Sequence, residues 1–232
     1  MYKQWGGISN KIIIKKKTNK NKKKKDESDD SDSDNSSTSP ILKLPLSFSK
    51  GSSSIYSNFN HIYFNNDITT DSCFELMKEL RTVETRILTL SITSKTEKQP
   101  IYLHLTTDGG LIHSAFSVID CIKNLSVPVY TVADGFVASA GTLIFLAGEK
   151  KYMCENAYML IHELRSGVWG KMSDIEEEVD NLKKLMVHIT KIYLDNTKLK
   201  KKDLDKILKK DVIWDLDECI KTGLVDEKYT GF

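Results

Sequence analysis

Several absences narrow what this chain can be. No run of apolar residues approaches the ~18 needed to cross a bilayer, which argues against an integral membrane protein. Only four cysteines are present, Cys73, Cys121, Cys154 and Cys219, and no two form a Cys-x-x-Cys pair. That speaks against a zinc ribbon or a redox dithiol. Ile12–Ile14 is too short for the apolar core of a signal peptide, so the thiols read as reduced and packed, in a cytoplasmic compartment. Arginine is scarce, with Arg81, Arg86 and Arg165 against 31 lysines. Charge of one sign is not in excess: 34 basic and 32 acidic side chains leave +2, which argues against a general nucleic-acid binder.

The charge that is present is unevenly placed. Residues 1–50 carry twelve lysines and six acids, a net +6, so the remainder carries −4. From Lys11 to Pro40 a Lys/Asn block is followed by an Asp/Ser block, with Ile12, Ile13 and Ile14 as the apolar residues. Such a stretch cannot bury enough apolar area to offset the entropy of ordering it. Residues 1–54 are therefore expected to be a disordered low-complexity tail, and residues 55–232 one folded domain. Lys22–Lys25 read as part of a solvated tail rather than as a targeting or nucleic-acid signal.

Within the domain, strands alternate with helices, which indicates an α/β fold. Thr70 or Asp71 is expected to cap a helix reaching about Leu90, with Phe74, Met77, Leu80, Val83 and Ile87 along one face. A strand at Ile101–Leu105 leads through Gly109-Gly110 into a helix from about Ile112 to Leu125. Val127–Val132 reads as a strand, Ser139–Ala147 as a short buried helix, and Tyr152–Met153 and Tyr158–Ile161 as further strands. Ser173 is expected to cap a long helix to about Leu194, followed by a Lys-rich helix over Lys202–Lys209 and a closing turn at Gly223-Leu224-Val225.

Three local features can carry chemistry. The adjacent glycines of Thr107-Asp108-Gly109-Gly110 permit a tight turn whose N–H groups can face an anion, although most such pairs are only turns. Ser139, in Gly135-Phe136-Val137-Ala138-Ser139-Ala140-Gly141, stands at a helix start. A serine there is usually a cap, but orphan N–H groups and the helix dipole also make it a good place for a nucleophile. His162 ends an apolar strand. His61, His104, His113 and His188 read as ordinary core or rim residues, and no two histidines have the spacing of a metal site. A serine, a later histidine and a later acid would make a nucleophile–base–orienter set. Spacing does not choose among Asp195, Asp203, Asp205, Asp211, Asp215 and Asp217.

From about Ile55 to Asp226 the sequence resembles the proteolytic subunit of the Clp protease, the ClpP family. Ile101–Gly110 is similar to the family's strand ending in Ser-Pro-Gly-Gly, and Gly135–Gly141 to its Gly-Gln-Ala-Ala-Ser-Met-Gly segment. Met159-Leu160-Ile161-His162 resembles its Met-Ile-His, and Gly170, Asp174 and Ile175 fall where its long handle helix starts. Gly223-Leu224-Val225-Asp226 matches its terminal Gly-Leu-Val-Asp, and Ile55-Tyr56-Ser57 its early Ile-Tyr-Ser.

The resemblance implies a ClpP/crotonase-like fold of stacked ββα units with a protruding handle helix. It implies an ATP-dependent serine endopeptidase that cleaves unfolded proteins and peptides inside a ring. Ser139 falls on the nucleophile, His162 on the general base and Asp211 on the third triad member. Gly110 and Ala140 fall on the oxyanion-hole positions, and no cofactor or metal is called for. The implied partners are copies of the chain in a heptamer or double heptamer, and an AAA+ unfoldase of the ClpX or ClpA type. Neither membrane nor specific nucleic acid is among them.

The sequence also departs from the family. Asp108 stands where the family has proline, Ala140 where it has methionine, and Glu163-Leu164 where it has Gln-Pro. Lys209-Lys210 replace an Asp-Arg pair that links two rings in some members, which puts ring-to-ring contact in question. A non-catalytic ring subunit and a crotonase-type acyl-CoA hydratase or isomerase are the alternative readings, and a membrane-linked Ser-Lys peptidase is a more distant one. The complete Ser/His/Asp set argues against all three.

Overall fold

A computed structural model describes residues 55–231 of the chain. The expectation of a disordered tail over residues 1–54 lies outside the described residues.

The domain begins with a hairpin, β1 (Ile55–Asn58) and β2 (His61–Asn65), turned at Phe59, which has a φ of 55°. Ile62 and Phe64 of β2 are buried and alternate with the more exposed His61, Tyr63 and Asn65, the period of a strand packed on one face. Helix α1 (Thr70–Ser94) follows. Its cap is Thr69, one residue before the expected pair: the Thr69 hydroxyl accepts from the Ser72 N–H, and the Ser72 hydroxyl accepts from the Thr69 N–H. Leu76, Leu80, Val83 and Ile87 form its buried face, while Phe74, expected on that face, is exposed.

Strand β3 (Ile101–Thr107) leads to α2 (Ile112–Lys123), and β4 (Val129–Ala138) to α3 (Ala140–Phe145). Then come β5 (Lys150–Met153), β6 (Tyr158–Ile161), α4 (Met172–Asn196), α5 (Lys201–Leu208), β7 (Val212–Trp214), α6 (Leu216–Thr222) and β8 (Glu227–Lys228). The sheet runs β1-β2-β3-β4-β5-β8, with β6 pairing with β4 and β7 with β6. The β2–β3, β3–β4, β4–β5, β4–β6 and β5–β8 pairs are parallel. The β1–β2 and β6–β7 pairs are antiparallel.

β4 positions the site. Its first half, Tyr130–Ala133, pairs with β5, and its last residues, Phe136–Ala138, pair with β6. Between these halves the register against β3 jumps, from Leu105↔Ala133 to Thr107↔Val137. This irregularity carries the strand six residues past its expected end at Val132 and delivers Ser139 beside β6.

Two further expectations change. Ser173 lies inside α4, whose first turn is instead secured by the Lys171 N–H donating to Asp174 Oδ2 at 3.1 Å. Ahead of the expected turn at Gly223, the segment around Trp214, to which no element was assigned, forms a strand and a helix, and Asp215 caps α6 by accepting from the Glu218 N–H at 3.0 Å. In α4 only Ile189 and Tyr193 are buried, both in its last two turns. The half starting at Met172 stands away from the core, as a handle would.

Candidate active site

The nucleophile turn is built by close backbone approach. Ser139 has φ 54° and ψ −124°, a left-handed conformation that costs a side-chain-bearing residue about 1–3 kcal/mol unless its surroundings enforce it. Its N–H donates to Leu160 O at 2.9 Å, and its carbonyl accepts from the Thr142 N–H at 3.0 Å and the Thr142 hydroxyl at 2.6 Å. The Ser139 side chain makes no capping bond. A serine at a helix start is commonly spent on that bond; here the hydroxyl is not used by α3.

The Gly109-Gly110 turn lies against this segment. A Cβ on Gly109, at φ 98°, would stand 2.7 Å from Ser139 Cβ and 2.9 Å from Ala138 O. A Cβ on Gly110, at φ 145°, would collide with the Ile68 carbonyl. The Ile68–Gly110 bridge uses the Gly109 carbonyl and the Leu111 N–H, at 2.8 Å each, which leaves the Gly110 N–H outside the pairing. Ala140 is the first residue of α3, so its N–H has no acceptor within the helix. Both oxyanion-hole candidates thus belong to segments that meet at Ser139.

His162 and Asp211 flank paired strands. Ala138 pairs with Leu160, so Ser139 and His162 leave the ends of adjacent parallel strands. Ile161 pairs with Val212 across the antiparallel β6–β7 ladder, which ends there, so His162 directly follows and Asp211 directly precedes its last pair.

The side chains do not form a continuous chain of hydrogen bonds. His162 Nδ1 lies 2.6 Å from Glu163 O. A carbonyl oxygen only accepts, so Nδ1 carries the proton and Nε2 of the neutral ring is left as an acceptor. That is the tautomer a general base needs. Asp211 instead accepts from Arg165 at 2.5 Å, in a pair exposed on both sides. Arg165 was not among the residues singled out from sequence.

The departures also find places. Asp108 is exposed at the edge of the glycine turn. The Glu163 N–H donates to Leu208 O at 2.7 Å, and the Leu164 N–H reaches Met186 Sδ at 3.3 Å, a bond proline could not make. Among the other candidate acids, Asp215 is spent on its cap, and Asp203 and Asp205 pair with Lys206 and Lys201. A cleft of about 580 Å³ lies between α4 and α5, with Glu163, Met186, Leu194 and Leu208 in its wall, but Ser139, His162 and Asp211 do not line it.

A second polar cluster escaped sequence reasoning. His104 Nδ1 contacts Asp134 at 2.9 Å, and its Nε2 lies 3.0 Å from His61 Nδ1. Burial, and then the charge of His104, lower the His61 pKa against the pull of Asp134. The thiols are poor alternative nucleophiles. Burial pushes Cys154 up to about 11, helped by Asp134, and Cys219 up to about 12. Among the described residues, no group of three His, Cys, Asp or Glu side chains could hold a metal ion, and no helix is long and apolar enough to cross a membrane.

Comparisons with known proteins show the family. The chain is 32% identical over 155 residues to the ATP-dependent Clp protease proteolytic subunit 2 of Treponema denticola, covering 66% of this chain and 77% of that protein. It is 28% identical over 183 residues to the proteolytic subunit 2 of Treponema pallidum, covering 75% and 86%. A ClpP1 mutant from Listeria monocytogenes superposes with a TM-score of 0.65 at 22% identity, over 75% of this chain and 92% of that one, a likeness of fold. The family model for Clp protease matches residues 52–230, and the chain therefore belongs to the Clp protease family, as a ClpP-type proteolytic subunit.

Proposed function

We propose that the chain hydrolyses peptide bonds with Ser139 as nucleophile, His162 as general base and Asp211 as orienter. The observation that carries this is the pairing of Ala138 with Leu160, which sets Ser139, left-handed and uncapped, beside His162.

Ser139 Oγ attacks the scissile carbonyl while His162 Nε2 takes its proton. The imidazolium then gives that proton to the leaving amine, and water resolves the acyl-enzyme by the same route in reverse. The N–H groups of Gly110 and Ala140 stabilise the oxyanion. One such donor is typically worth about 2.7–4 kcal/mol. Asp211 offsets the imidazolium charge, which the neutral Glu163 carbonyl cannot do. For this it must leave Arg165.

Family membership supports an oligomeric ring fed by an AAA+ unfoldase, with unfolded proteins and peptides as substrates. The −4 charge of residues 51–232, beside a +6 N-terminal segment, gives the domain no nucleic-acid character. The test is cleavage of a fluorogenic peptide by assembled wild type and Ser139→Ala. Turnover should vanish in the variant, and retained turnover would show that the nucleophile is another residue.

A further inference from the structure

Ser139 is held from behind by a side-chain relay. The Thr142 hydroxyl lies 2.6 Å from the Ser139 carbonyl and 2.5 Å from the Tyr193 hydroxyl. The direction of the relay is fixed. A carbonyl cannot donate, so the single Thr142 proton goes to Ser139 O, and the Tyr193 O–H must donate to Thr142 Oγ1. Thr142 is 0% exposed and Tyr193 2%, so water does not substitute for either partner. Burial raises the Tyr193 pKa, against a smaller effect of its bond to Thr142, so the phenol keeps its proton at neutral pH. The two residues are 51 positions apart, on α3 and on the core-facing end of α4.

We propose that Tyr193 is a positioning residue for the nucleophile: acting through Thr142, it holds the Ser139 peptide in its left-handed conformation and ties the handle helix to the active serine. This rests on the reading of Ser139 as nucleophile. Three bonds hold the Ser139 backbone, two from main-chain N–H groups that any sequence would supply. The third comes from a side chain whose orientation Tyr193 sets. A buried hydroxyl with only one of its two bonds satisfied is free to turn from Ser139 O, and a strained residue persists only while its surroundings over-determine it. Tyr193 touches no reacting atom, so its removal should slow the chemistry without weakening substrate binding.

The test uses the full-length assembled protein and two readouts: steady-state cleavage of a fluorogenic peptide, and the rate and stoichiometry of labelling by a fluorophosphonate, with the modified residue mapped. Tyr193→Phe should lower kcat and the labelling rate constant together, by about tenfold, with KM changed less than twofold and full labelling stoichiometry. Thr142→Val should do the same. The double variant should be no worse than the poorer single, because both cut one relay. Thr142→Ser, which keeps the hydroxyl, should restore the rate. A purely structural role would reduce the number of labelled sites, or the melting temperature, at an unchanged rate per site, and that result overturns the proposal. So do additive losses in the double variant, or an unchanged rate in Tyr193→Phe while wild type is labelled at Ser139. Wild type labelled elsewhere, or not at all, refutes the nucleophile reading itself, and the relay falls with it.

Discussion

Arg165 donates to Asp211 at 2.5 Å, from the same loop that carries His162 three residues earlier. That carboxylate, one residue before the last β6–β7 pair, is held by a guanidinium, while the His162 imidazole takes the Glu163 carbonyl. Catalysis by a triad needs that exchange reversed. The pair is 69% and 57% exposed, so its hold on Asp211 is worth no more than about 1 kcal/mol.

Arg165→Ala should therefore raise kcat for a fluorogenic peptide, by up to about fivefold, the factor that about 1 kcal/mol represents. Added salt should produce a similar rise in wild type and little in the variant, since it screens an exposed pair. A fall in the variant, with the ring intact, would mean that Arg165 serves the substrate rather than restrains Asp211.

Asp211→Asn should lower kcat about a hundredfold, toward the lower end of what acid–base catalysis contributes. The Glu163 carbonyl still holds the imidazole tautomer in that variant, and what is lost is compensation of the imidazolium charge. Steady-state kinetics with circular dichroism as a folding control measure this. An unchanged kcat would assign the orienting role to another acid.

Glu84 supplies a pH-dependent element of stability away from the site. Burial pushes its carboxyl up, but the Ser126 N–H at 2.5 Å and the Arg81 guanidinium at 3.1 Å together pull it below its ordinary value. A depressed carboxylate stabilises the fold fully above its unfolded pKa, about 4.3, and loses that contribution as pH falls toward the lower folded value. Glu84→Gln should cost about 1–3 kcal/mol at pH 7. Urea denaturation of both proteins should show the difference shrinking below about pH 4, and a difference that grows with acid would reverse the assignment.

Much of the fold could be read from the sequence because it depends on periodicity. Leu80, Val83 and Ile87 lie where helical spacing puts them, and Tyr158–Ile161 is the expected strand. What could not be read depends on contacts between distant segments. The irregularity that carries β4 through Gly135–Ala138 is created by its pairing with β3 and β6, so the segment alone reads as the approach to a helix. The β1–β2 hairpin has short strands and no strong turn signal at Phe59-Asn60. At the site, the resemblance pointed to Ser139, His162 and Asp211, and the pairing of β6 with both β4 and β7 brings together the strand ends that these residues flank. It offered no hint of Arg165 or of the Tyr193–Thr142 bond. These are long-range pairings of side chains that carry no local pattern, and only folding reveals them.

The most direct measurement is fluorophosphonate labelling of the assembled wild-type protein, read by native mass spectrometry with peptide mapping. An active serine at residue 139 gives one adduct per subunit, on Ser139, in a ring-sized species. An assembled ring that takes up no label, or takes it at another residue, contradicts the assignment of Ser139 as the nucleophile.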